Sequence, residues 1–337
     1  MPSASITTAP SRVKVLSAFA IVYVIWGSTY LAISFGVKTL PPFLFAATRF
    51  LLAGAILYVF ARRRGAPRPT RIHWRSALII GGLLLVGGNG LLVFAERTVP
   101  SGIAALIVST SPIWMALLDW IRPGGARPRF PVIVGLVIGF GGVALLIGPN
   151  ALHGHLPLAG ALIVVAGSLG WAAGSVYSRY APFPKEPLLG SGIEMLAGGA
   201  LLVVLSLATG EMGQVHLRAV STRSVLALVY LILFGSIVAF SAYTWLLRNV
   251  ALSRVSTYAY VNPVVAVLLG WAFNGESVGG QTLLAAGVIV AAVVVITTFH
   301  RHDAHPKPEA APATSAPAAS HAPDTSPRLA VTRLDQG

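Results

Sequence analysis

PPFLFAATRFLLAGAILYVFARRRGAPRPTRIHWR, residues 41–75, decides the architecture. From Pro42 to Phe60 the run is almost wholly apolar, about the length a helix needs to cross a hydrocarbon core roughly 30 Å thick. It then turns abruptly basic, with Arg62, Arg63, Arg64, Arg68, Arg71 and Arg75 in quick succession. An apolar run delivered onto an arginine cluster reads as a span that ends in the cytoplasm, because loops held there carry the excess of Lys and Arg. One residue breaks the apolar run: Arg49, well inside it.

The pattern recurs in both directions along the chain. Apolar runs fall at Val15–Phe35, Pro42–Phe60, Ser76–Ala95, Ser101–Ile121, Phe130–Gly148, Pro157–Ser178, Leu188–Ala208, Ser224–Leu246, Leu252–Phe273 and Val278–Thr298. Runs this long are not strands of a soluble sheet, and the alternation of a membrane barrel is missing, so helices remain. The bulk composition agrees: 55% of residues are hydrophobic, 10% are charged, and mean hydropathy is +0.77, which places the 337-residue chain in the membrane class. The first run lacks a small-residue cleavage site and exceeds a signal-peptide core, so it is expected to be a retained span.

Charge placement sets the expected topology. Nineteen of the 24 Lys and Arg fall in alternate segments that begin with the N-terminus; the intervening set holds Lys38, Arg97, Arg218 and Arg223, and Arg49 lies within a span. Both termini are therefore expected in the cytoplasm. The formal charge of +14 marks cytoplasmic loops of a bilayer protein and not a nucleic-acid surface. No cysteine is present, which excludes disulfides, thiol catalysis and cysteine metal sites. Residues 299–337 are rich in Ala, Pro, Ser and Thr, with too little apolar surface to fold, and read as a disordered cytoplasmic tail. The histidines His300, His302 and His305 there have no spacing that fixes a metal geometry. No metal or cofactor is expected.

The chain also resembles itself. Trp26 and Trp171, and Arg49 and Glu194, stand 145 residues apart; Arg97 and Arg248, Pro112 and Pro263, and Trp120 and Trp271 stand 151 apart. Rare residues in register across an apolar background argue for a repeat. Each half, 15–148 and 157–298, carries five runs, and an odd number threads the second half in the opposite sense. The expected fold is an all-α integral membrane protein of ten transmembrane helices in two inverted five-helix repeats, a build common in secondary transporters.

Several stretches resemble the EamA-type branch of the drug/metabolite transporter superfamily: IWGSTY (25–30), AATRFLLAG (46–54), AERTVPSGIAA (95–105), GSVY (174–177), IEMLAG (193–198) and STYAYVNPVVAVLLG (256–270). The resemblance runs from about Ile21 to Thr298. It implies an inner-membrane carrier of small metabolites, amino acids or drugs, with export the commoner direction. Glu276 occupies a position where repeats of that family often carry Glu, whereas the first half has Gly125.

Candidate site residues follow from what is costly at membrane depth. Arg49 and Glu194 each carry a charge that costs roughly 2.5–3.5 kcal/mol at a bilayer centre on insertion scales, and such residues face partners or wet cavities. If they pair, they suit the two ends of a zwitterion or pin the halves together; if apart, Glu194 becomes a candidate for proton coupling. Trp26 with Tyr30, and Trp171 with Ser175, share helical faces and are candidate aromatic walls of a cavity, or plain packing. Pro112, beside Ser109, Thr110 and Ser111, and Pro263, beside Tyr258 and Asn262, fall inside expected helices and are candidate hinges with polar neighbours, or static kinks. Asn89 reads as interhelical glue and Glu96 as interfacial. The expected partners are the lipid bilayer and a small-molecule substrate, with protons the open question for coupling. A membrane-embedded enzyme is the alternative, but no His and no second carboxylate at depth accompanies Glu194.

Overall fold

The computed structural model describes residues 11–122, 130–152, 156–250, 252–255 and 257–299, and these contain helices and no strand. The tail expected to be disordered from His300 onward, the first ten residues and Gly125 lie outside the described residues. The long helices are α1 (Arg12–Gly36), α2 (Pro42–Arg63), α3 (Arg71–Ala95), α4 (Ser101–Ile121), α5 (Phe130–Leu152), α6 (Leu158–Ser178), α7 (Pro187–Ala208), α8 (Thr222–Asn249), α9 (Tyr258–Asn274) and α10 (Gly280–Phe299). Seven of them, all but α5, α9 and α10, are long and apolar enough to cross a membrane; those three contain shorter apolar helices. Large apolar side chains such as Leu162, Val204, Leu226 and Leu268 stand exposed on the flanks, as a lipid-facing surface requires.

Local chemistry explains two departures from regular helix. In α4 the chain turns at Ser109 and Thr110 and restarts at Ser111, with Pro112 in the first turn of the new segment. Pro112 therefore does not kink a continuous helix, as its sequence position suggests; it begins one, where its missing N–H costs nothing. Three consecutive hydroxyls heal the break: Ser109, Thr110 and Ser111 each donate to the carbonyl three residues back, all at 2.6 Å, and the Ser111 bond takes up the Val108 carbonyl. Pro263 does sit inside a helix, α9. The expected start of that helix at Leu252 is corrected. Leu252–Val255 is a short helical turn, and the long helix begins only at Tyr258. The Thr257 hydroxyl, bonded to the Arg254 carbonyl and to Tyr23, holds the joint.

Two of the long helices share a further irregularity. Both α3 and α8 contain a π-helical stretch, Gly82–Gly90 and Leu231–Phe240. Widened turns of this kind free carbonyls and cluster at functional sites. Contacts between the halves come in exchange-related couples: α1 packs on α8 and α9 as α6 packs on α3 and α4, α2 packs on α7, and α5 on α10. The α2–α7 crossing is made by glycines. A Cβ on Gly54 would stand 2.9 Å from the Gly192 carbonyl, and one on Gly192 would stand 2.9 Å from the Tyr58 amide. With no hydrophobic driving force between helices in lipid, such close backbone approach supplies much of the packing energy.

Candidate substrate chamber

The paired contacts of α1 with α8 and α9, and of α6 with α3 and α4, leave a chamber between them with about 590 Å³ of empty space, counted to where it opens. Residues of α1, α2, α3, α4, α6, α8 and α9 line it. Trp26 and Trp171 meet edge to face with centroids 5.3 Å apart, and Tyr243 and Tyr258 close on Trp26 at 4.7 and 5.7 Å. The Trp26 indole donates to the Gly235 carbonyl at 3.2 Å, a group within the π-helical stretch of α8. Of the residues singled out by sequence, Trp26, Tyr30, Arg49, Trp171 and Tyr258 all line this chamber. Ser175 stands one shell out: it donates to the Trp171 carbonyl and takes the Tyr243 hydroxyl, both at 2.7 Å, and so fixes the aromatic wall.

Arg49 is 3% exposed, and its guanidinium is held on two sides. Nε donates to the Ser236 hydroxyl at 2.7 Å, and the group lies 4.7 Å from the Phe50 ring centroid. Nη1 has no protein partner. The pairing of Arg49 with Glu194 that sequence left open is not made; among the described residues the one ion pair joins Arg122 to Asp119. Glu194 is buried on α7 without lining the chamber, its Oε1 unpartnered, and the charge acting on it is that of Arg248. Asn262 is buried, with an unpartnered Oδ1, and also lies outside the lining.

Two polar residues sit differently from their sequence reading. Asn89 lines the chamber and its Oδ1 has no partner, so it does not glue helices. Glu96, at the end of α3, is buried at 6% exposure with both carboxylate oxygens unpartnered, where sequence placed it at an interface. Burial, and after it the neighbouring Glu276 charge, push the Glu96 carboxyl well above the usual carboxylate range.

Sequence reasoning missed the carboxylates that cap helices across the halves. Glu276 accepts from the Ser101 and Gly102 amides at 3.0 Å each, from the Ser101 hydroxyl at 2.6 Å and from Asn274 at 3.0 Å. Burial raises its carboxyl, but these four hydrogen bonds outweigh it and hold the group below its ordinary range. Glu211 does the same for α2, accepting from the Phe43 and Leu44 amides at 3.1 and 2.8 Å and from Ser206 at 2.9 Å. Negative charge at a helix N-terminus meets free N–H groups and the positive end of the dipole.

The EamA-like transporter family model matches residues 13–148 and again 158–298. The chain belongs to the EamA-like transporter family. It is 44% identical over 277 residues to the inner membrane transporter YedA of Escherichia coli K12, covering 82% of this chain and 88% of that protein. A probable amino-acid metabolite efflux pump of Salmonella typhimurium is 24% identical over 290 residues, covering 80% and 92%. A solved crystal structure superposes with a TM-score of 0.61 at 24% identity, over 87% of this chain and all of its own, which bears on the fold alone. This EamA-family chain is thus a multi-pass inner-membrane transporter, and the two family matches divide it near residues 149–157, between α5 and α6.

Proposed function

We propose that this EamA-family protein carries a small organic solute by alternating access, as an exporter, with two five-helix halves of opposite orientation rocking about the chamber. The observation that carries the reading is the chamber itself: buried, aromatic, containing a charge, and lined by helices of both family-matched segments. The exchange-related packing and the paired π-helical stretches support a two-fold relation between the halves. Arg49, Asn89, Trp26, Tyr30, Trp171 and Tyr258 bind the solute, Ser175 and Asn262 brace the walls, and the α4 break at Pro112 and Pro263 within α9 are the hinges. Both termini face the cytoplasm, so the capped ends of α2 and α4 face outward. The separation of Glu194 from Arg49 favours Glu194 as the proton-coupling group, because a buried carboxyl that is not locked in an ion pair can take up and release a proton.

The absence of cysteine makes the orientation directly testable. Single cysteines at Lys38 and at Lys185 stand in corresponding loops of the two halves. The first reacts with an impermeant maleimide in intact cells and the second only after permeabilisation; labelling of both from the same side removes the inversion. Transport is tested by counterflow in proteoliposomes, on solutes drawn from a growth screen against toxic metabolites. Glu194→Gln abolishes proton-driven transport and flattens the pH profile of solute exchange, and an unchanged exchange profile takes Glu194 out of the mechanism.

A further inference from the structure

We propose that the transported solute carries a carboxylate, bound by the Arg49 guanidinium, on a flat apolar body that lies against the aromatic walls. The inference rests on the chamber being the transport site and goes on to name the chemical class that it takes.

The argument begins with an imbalance. Arg49 is nine-tenths buried and more, stays protonated near neutral pH, and keeps Nη1 unpartnered while lining the chamber. No Asp or Glu lies among the described lining residues, and Glu194 neither lines the chamber nor forms an ion pair with Arg49. A buried guanidinium without a counter-ion carries an uncompensated desolvation cost, and an anionic ligand reaching it from the chamber would offset that cost. The bond to Ser236 and the Phe50 ring fix the plane of the group, so its remaining edge is presented in one orientation. A fixed planar fork suits a planar carboxylate.

The rest of the lining narrows the class. A single cation balances a single negative charge, which disfavours phosphate esters. An ammonium group would find no acidic partner in the chamber and a positive charge already there, which disfavours amines and zwitterions. The Asn89 Oδ1 acceptor, also unpartnered, suits a hydroxyl or N–H on the body of the solute. Trp26, Trp171 and Tyr258 provide flat apolar walls.

One aromatic body with four head groups tests this. Binding of phenylacetate, 2-phenylethanol, 2-phenylethylamine and phenylalanine to the purified protein is measured by titration calorimetry in detergent at pH 7.5. Phenylacetate is expected to bind about ten- to a hundredfold tighter than 2-phenylethanol, the range of one charge-assisted hydrogen bond, with the amine and phenylalanine weaker than phenylacetate. Arg49→Gln brings phenylacetate down to the 2-phenylethanol level without changing the alcohol, and Arg49→Lys restores part of the preference. Phenylacetate binding no tighter than 2-phenylethanol, including no detectable binding of either, overturns the proposal; so does tighter binding of phenylalanine or the amine, or a preference that survives Arg49→Gln. Should the Gln variant not fold, the wild-type comparison decides alone. Counterflow of an amine or zwitterion with no carboxylate preference removes this assignment while the carrier reading stands, whereas absence of counterflow for every screened solute removes the carrier reading itself.

Discussion

Charged side chains at the helix ends and in the chamber are used in opposite ways. At the helix ends, Glu276 and Glu211 have their acceptor positions filled by four and three donors, mostly backbone amides of helices in the other half. In the chamber, Arg49 makes one hydrogen bond and leaves Nη1 idle. A saturated carboxylate has given its charge to the fold; an unsaturated guanidinium keeps its charge for something that arrives. Removing the first should therefore show in stability, and removing the second in transport.

The sharpest break of this contrast is Arg49→Gln. Counterflow falls to background, a loss of more than a hundredfold, while the melting temperature in detergent stays level or rises because a buried unpaired charge is gone. A large drop in melting temperature would move Arg49 into the structural group. Glu276→Ala is the mirror experiment: it strips the acceptor from the first turn of α4 and costs about 2–3 kcal/mol, a fall of roughly 5 °C in melting temperature. Transport below that temperature should continue. Glu211→Gln is milder, since an amide oxygen still accepts from one of the two α2 amides while its NH2 opposes the other, and about 1–2 kcal/mol is expected by the same measurement. Gly54→Ala tests the packing on which both groups depend. The 2.9 Å approach to the Gly192 carbonyl leaves no room for a Cβ, so α2 and α7 must part, at about 1–3 kcal/mol.

How far each group was legible in the sequence follows from the range of its signal. Arg49 announces itself because a charge inside an apolar run needs no partner to be noticed, and Trp26 and Trp171 do so because a bulky residue repeats in register. The helices are legible for the same reason: the bilayer imposes a length and a composition on each separately. Glu276 drew notice only through the family resemblance and Glu211 not at all, and neither capping role was legible, since the amides they cap lie about 170 positions away and no local spacing connects them. The reading of Pro112 as a kink failed because the serines and threonine beside it allow the helix to end and restart, a choice that residue counting does not distinguish from bending. Asn89 and Glu96 were read from their depth along α3, which does not say whether a polar side chain will find a partner, and Asn89 Oδ1 and both Glu96 oxygens find none.

Glu96 offers the smallest effect and the finest test, since it shares the cavity of Glu276 but not its hydrogen bonds. Lys38, Arg97 and Glu276 are the other charged groups lining that cavity, and Lys38 is engaged with Asn274 at 2.8 Å. Because folding raises the Glu96 carboxyl, the protonated form is the one the fold prefers. The stability tied to it is fully present below the ordinary glutamate value and is lost as pH rises through the raised folded value. Glu276, lowered by its donors, runs the other way: its contribution is present above the ordinary glutamate value and disappears as pH falls through the lowered one. Melting curves from pH 4 to pH 9 should therefore show Glu96→Gln matching the wild type at the acid end and exceeding it progressively at the alkaline end. A variant that instead falls progressively below the wild type toward the alkaline end would mean that Glu96 is ionised and paired, and that its place in the contrast belongs with Glu276.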